Sequence, residues 1–437
     1  MTNNGELTGS RLGPRLWLPP AVIVTVVMAA LAALYLGSTV NSSHDLDSFP
    51  IAVVNADTGA TSTSGQHVDI GAQITDNLRK GVDDNKFDLR FVSLAEAKEQ
   101  MSKAKLYGAI VLPADLSEQL MTLTKSATSG GAAQQPEITV YTNPLANTSS
   151  VSIVNSFASQ ALTEANQAVG GQLLAGAAQA QAQAQATTTG QPLAGTARIV
   201  LSEPMKVHIT PFNEVPDGTG AGLSAFYYAL LLALAGFTGS LIATNLVDSL
   251  LGFTPSEIGP LYHMESPSGH SRLTTLIVKW GLMTGIAVVV STVYLGIASW
   301  IGMPIGHPGQ LWLFSVLMIT SVAVVAQAIL ALLGGLGMVV NLFLFIVLSI
   351  PSSGGTTPLE AMPPAIRFLS HFEPMHQIYL GTRSILYFGG TWETGLGRSV
   401  IAGVITIVLG LFIGAFGTRA YDRRGLTRKH HPVVAEQ

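Results

Sequence analysis

The sequence predicts an α-helical integral membrane protein of six transmembrane helices, with a large extracytoplasmic α/β domain inserted between helices 1 and 2. Three observations predict it. Leu16–Gly37 (LWLPPAVIVTVVMAALAALYLG) carries no charge, and about 20 apolar residues coiled as a helix match the ~30 Å hydrocarbon core of a bilayer. Five more apolar runs follow, but only after a long, mostly polar stretch: Gly222–Val247, Thr274–Trp300, Gln310–Leu333, Leu336–Ile350 and Ser399–Thr418. The whole chain of 437 residues is 48% hydrophobic and 11% charged, with mean hydropathy +0.42, too apolar for an ordinary soluble protein.

Charge sets the expected orientation. Arg11 and Arg15 precede the first run, and Arg419, Arg423, Arg424, Arg428 and Lys429 follow the last. Positive charge stays on the cytoplasmic side of short flanking segments. Residues 1–15 and 419–437 are therefore expected in the cytoplasm, with the first helix over 16–37 and the membrane domain over 221–418. Residues 38–220 hold 17 acidic and 10 basic side chains, a net of −7, and are expected outside. The loop Asp248–Leu273 returns to the cytoplasm, with Arg272 and Lys279 at its far edge. Cysteine is absent, so the external domain relies on an apolar core rather than disulfides. The first run is read as an uncleaved anchor, being longer than a usual signal h-region and lacking an A-x-A site; a cleaved signal peptide is the alternative.

Within the insert, Pro50–Ala60 (PIAVVNADTGA) is a short apolar strand running into an Asn/Asp/Gly turn. Val68–Lys80 carries apolar residues at helical spacing, and Asp88–Val92 alternates as a strand does. Ser93, with Glu96 three residues on, is a capping box opening a helix. Leu106–Leu112 is a strand of the buried type, and Pro113–Leu120 begins another helix. Glu137–Tyr141 is a further strand. The order β-α-β-α-β-α-β implies a partly parallel sheet. Ser126–Gln135 is a flexible loop. A helix starts near Val151, and Ala177–Ala186 extends it as an Ala/Gln-rich arm, either a solvated spacer or a guide for substrate.

The five later spans hold no Asp, Glu, Arg or His in their interiors. Ion-coupled transporters place ionisable groups at mid-membrane to bind and release the coupling ion; a self-powered transporter is therefore disfavoured. Gln327 and Asn341 are the notable polar groups. After the fifth span, residues 356–390 hold two short amphipathic segments, Leu359–Phe372 and Met375–Phe388. Both are too short to cross and are expected on the outer face, lying in the interface or re-entering it.

This end arrangement resembles ABC type-2 permeases, in which a proline-rich outer re-entrant pair precedes a last span with a basic tail. The matching positions are Pro358, Leu359, Glu360, Met362 and Pro363, then Pro374, then Tyr379 and Arg383; Glu373 stands where Asn is commoner. VVNADTGA at Val53–Ala60 and LYGAIVLPADLSEQL at Leu106–Leu120 are similar to the YhgE/Pip (phage infection protein) group of that superfamily. The layout of one span, a large insert and five spans matches as well. The resemblance implies a bacterial plasma-membrane exporter of lipids, polysaccharides or hydrophobic drugs, dimeric or hetero-oligomeric, working with a separate ATPase chain. It also leaves open a role as a phage attachment factor.

No lysine follows a glycine anywhere, so the lysine of a phosphate-cradling loop is lacking and ATP hydrolysis belongs to another chain. The loop Asp248–Leu273, with Glu257, Tyr262, Glu265 and Arg272, is a candidate contact for that chain, or a plain connector. His371, Glu373 and His376 form H-x-E-x-x-H, but zinc helices need the two His at i and i+4, and Pro374 interrupts here; no metal or other cofactor is expected. No G-x-S-x-G elbow or cysteine offers a nucleophile, so no catalysis is expected, and Asp83–Asp84 reads as solvated charge. An acidic insert argues against nucleic acid. Phe226, Tyr227 and Tyr228 open the second span as headgroup-level anchors or as a lateral gate for membrane lipid. Two functions remain: export of a lipid or other hydrophobic envelope compound, or a non-transporting receptor or scaffold whose insert binds a protein or polymer.

Overall fold

The computed structural model describes residues 14–37, 45–61, 67–129, 134–185, 195–266 and 268–426. Helix α1 (Pro14–Gly37) leads to β1 (Phe49–Asn55), the two-residue strands β2 (Ala60–Thr61) and β3 (His67–Val68), and α2 (Ile70–Gly81). Then come β4 (Phe87–Phe91), α3 (Leu94–Ser102), β5 (Gly108–Leu112), α4 (Leu116–Ser129), β6 (Glu137–Thr142), α5 (Ser150–Gln185), α6 (Gly195–Ser202) and β7 (Lys206–Pro211). The five-stranded sheet runs β4-β1-β5-β6-β7. β1 is parallel to β4 and β5, β5 is antiparallel to β6, and β6 is parallel to β7. β7 is a strand beyond those expected, an edge strand whose side chains are mostly exposed.

β1 lies between β4 and β5 and is buried along its length until Asn55. Ile51 and Val53 face one layer with Ile74, Leu120 and Leu162. Ala52 and Val54 face the other, with Ala97 and Met101 of α3. Alternate side chains of one strand thus serve two cores, as covered parallel strands require. Helix starts follow local chemistry. The Asp69 carboxylate accepts from the Ala72 amide at 2.7 Å, and the Ser93 hydroxyl from Glu96 at 3.2 Å. Only this half of the box expected at Ser93 forms, because the Glu96 carboxylate turns forward to accept from Gln100 at 3.1 Å.

The turn after β1 is a clasp. Asp57 accepts from the Gly71 amide (2.9 Å), the Ser117 amide (3.1 Å) and the Ser117 hydroxyl (2.5 Å). One carboxylate therefore satisfies amides at the first turns of both α2 and α4, the position helix dipoles favour for negative charge. A Cβ at Gly71 would sit 2.5 Å from Asn55 Oδ1 and from Asp57 Cβ, so only glycine allows the approach.

In the other half, five helices among the described residues are long and apolar enough to cross a membrane: 220–250, 272–300, 308–333, 335–352 and 396–423. A shorter apolar stretch, Ala21–Leu36, lies in α1. The first of the five holds α7 (Leu223–Leu250), and the short hairpin β8 (Ser256–Ile258) and β9 (Leu261–His263) follows it. Then come α8 (Arg272–Trp300), α9 (Pro308–Leu333), α10 (Gly335–Leu342), a π-helical stretch Phe343–Leu348 and α11 (Ser349–Ser352). The short α12 (Pro364–Ser370), then α13 (Pro374–Tyr387) and α14 (Leu396–Arg423), are the last helices among the described residues. Helix α9 is central: α7, α8, α10, α13 and α14 all pack on it. A buried ion pair, Lys279 Nζ to Asp248 at 2.8 Å, joins the loop-side ends of α8 and α7.

Candidate functional site

The residues between α11 and α13 form the floor on which the α/β region rests. Prolines set its local structure. Pro358 and Pro363 are extended, Pro364 occupies the first turn of α12, and Pro374 that of α13. A ring locked near φ −65° with no amide to satisfy suits those positions. Glu373 caps α13 and is buried, accepting at 2.7 Å from the Ser349 hydroxyl. Gly355 lies against Phe226, where an added Cβ would fall 2.2 Å from the ring.

Polar groups of this floor reach upward. The Tyr107 hydroxyl donates to Glu360 at 2.9 Å, and the Asp47 amide to the Glu360 carbonyl at 2.8 Å. Arg367 forms an ion pair with Asp47. Asn147 donates to the Gly354 carbonyl at 2.9 Å. Arg383 and Tyr379 both donate to the Ala146 carbonyl, and Arg383 lies over the Tyr379 and Phe388 rings at 5.5 and 5.8 Å. Lys103 bridges Glu99 (3.0 Å) and Glu393 (2.7 Å). Ala361 is fully buried within the apolar core of the α/β region itself. Burial, with the Glu360 carboxylate beside it, pushes the Tyr107 phenol well above its ordinary range. Hydrogen bonds from Ser48 and Arg367 hold the Asp47 carboxyl low.

Among the expected residues, Glu360, Tyr379 and Arg383 come together at this interface, and Met362 is fully buried beside it. Helix α13 is buried on nearly every side, between α7, α9 and α14. Phe226 and Tyr228 are buried, the latter in hydrogen bond with Ser315 at 3.0 Å, and only Tyr227 of that trio is exposed. Of the H-x-E-x-x-H side chains, His371 Nδ1 lies 3.1 Å from the Arg367 carbonyl and His376 Nδ1 2.8 Å from that of Ser353. Tyr107, Asp47, Asn147 and Arg367 escaped sequence reading as site residues, although Tyr107 and Arg367 lay in segments already singled out.

The opposite end is separate. Glu257 and Tyr262 face each other across the hairpin β8–β9, whose Ile258, Leu261 and Tyr262 are exposed. The Glu265 carboxylate lies 2.9 Å from His263. Arg272 starts α8, where the Asp422 carboxylate of α14 accepts from the Arg272 amide at 3.1 Å and the Leu273 amide at 3.3 Å. Arg272 also donates from its guanidinium to the Leu426 carbonyl at 2.8 Å.

Residues 20–416 match the family described as ABC-2 family transporter protein. No curated protein and no solved structure matches the chain.

Proposed function

The chain belongs to the ABC-2 family of transporter proteins, and from that premise we propose that it exports a lipid or other hydrophobic envelope compound. A permease of this family is the membrane component of an ABC transporter and works with a separate ATP-binding subunit. In this reading α1 is a sixth span, both ends are cytoplasmic and the α/β region stands outside. The ATP-binding chain meets the hairpin around Glu257 and Tyr262. Tyr227 faces membrane lipid at the entrance, and permeases pair as a homodimer or hetero-oligomer.

The docking of the α/β region on residues 354–383 supports this reading most. Tyr107–Glu360, Asp47–Arg367 and Asn147–Gly354 tie the external body to the short helices beside the bundle, and Arg383–Ala146 ties it to α13, so a movement of α13 against α9 and α14 is carried to the outside. A strain lacking the chain is expected to lose an extractable envelope lipid or its resistance to hydrophobic drugs, and the intact gene to restore it. Unchanged lipids and resistance would overturn export. The second reading, a receptor or scaffold of the phage-infection-protein kind, is favoured by one observation. A groove of about 480 Å³ lies between α2 and α5, lined by Leu78, Phe87 and Phe157 with Lys86 and Glu164 at hand.

A further inference from the structure

A second cavity, of about 740 Å³, opens between α9, α13 and α14, within the size range of small-molecule sites. Its chemistry changes along its length. One half is walled by Ile401, Ile405 and Leu409, each about half exposed on the face of α14. Because α14 is long and apolar enough to cross a membrane, hydrocarbon is the medium that meets this wall. The other half is rimmed by Phe372 and Trp392, both exposed, and by Arg398 in the first turn of α14. Aromatic rings and a basic side chain near a helix end mark the headgroup level.

Between the halves stand Glu373 and Gln377, both buried, and Oε1 of each has no hydrogen-bond partner among the described residues. Buried acceptors left unmet are costly, so the cavity wall is short of donors. Three demands thus follow one another: donors at Glu373 and Gln377, an anion at Arg398, and a hydrocarbon chain along α14. We infer that this cavity binds a phospholipid with an ethanolamine headgroup. Its phosphate meets Arg398, its ammonium turns to Glu373 and Gln377, and its upper acyl chain lies along Ile401, Ile405 and Leu409. Burial pushes the Glu373 carboxyl up to about 7, and an ammonium brought beside it supplies the missing counter-charge. The inference rests on the chain's place in a bilayer and not on what it transports.

The test is native mass spectrometry of the full chain in mild detergent, offered equal amounts of phosphatidylethanolamine, phosphatidylcholine and phosphatidylglycerol. The wild type is expected to retain the ethanolamine lipid about tenfold more than the choline lipid, whose quaternary ammonium has no N–H to donate. Glu373→Gln should bring the two to similar levels, Arg398→Ala should weaken all three, and Ile401→Trp should fill the apolar half and lower occupancy. Equal retention of ethanolamine and choline lipids by the wild type, or preference for the glycerol lipid, overturns the inference. That comparison needs no variant, so a misfolded mutant cannot blunt it. Loss of the export reading with ethanolamine-lipid retention intact would remove transport and leave this site standing.

Discussion

Asp57 shows how much one side chain can settle. Its two oxygens meet amides at the starts of two helices whose contacts lie 14 and 60 residues away along the chain, which pins the carboxyl ends of β1 and β5 to the helices that follow. Asp57→Ala leaves those amides without their acceptor and should destabilise the chain by about 2 kcal/mol or more. Thermal unfolding of the purified protein would show this, and an unchanged midpoint would mean that the carboxylate is not a clasp. The sequence made the Asn-x-Asp-x-Gly turn and the Leu-Pro-x-Asp-Leu-Ser segment visible as separate motifs. That they bond to each other was not legible, because nothing local links positions so far apart. The bond between Tyr107 and Glu360 was hidden for the same reason, at a separation of 253 residues.

Elements were more legible at their starts than in their burial. Proline and N-cap signals act within one turn, so the beginnings near Ser93 and Pro374 could be read directly. What covers α13 is set by three distant helices, and its composition alone left open whether it lies in the interface or re-enters among neighbouring helices. Strand β7 lies at an edge with its apolar residues exposed, so it lacked the signature of a buried strand. The junction between the two regions depends on backbone that only glycine takes easily. Gly222 has φ +96°, and a Cβ there would come within 2.7 Å of the Pro144 carbonyl oxygen. Gly222→Ala should cost about 1–2 kcal/mol. It should also speed hydrogen exchange around Asn147 and Ser149, which bond to Gly354 and Thr356. Unaltered exchange would show that the junction tolerates a side chain.

At the scale of the whole molecule, the membrane character and the presence of an α/β region were open to reading because bilayer thickness and strand alternation impose long-wavelength patterns. Five helices carry the required length and apolarity among the described residues. Orientation rests on flanking arginines and the acidic insert, and it can be checked directly since the chain has no cysteine. Single cysteines at Asp84, which is exposed, or Gln135, which is half-buried, should react with a membrane-impermeant maleimide in intact cells. A cysteine at Glu257 should react only after permeabilisation. The reverse pattern would invert the proposed arrangement, placing the hairpin outside and the α/β body within.

The wide turn at Phe343–Leu348 has an effect on helical phase. Asn341, before it, donates to the Ala326 carbonyl of α9, while Ser349, after it, donates to Glu373 at the foot of α13. A strictly α-helical run advances about 100° per residue and would tie these two directions to each other. The surplus residue in the wider winding lets one helix address two neighbours in different bearings, as a coupling between shafts corrects for misalignment.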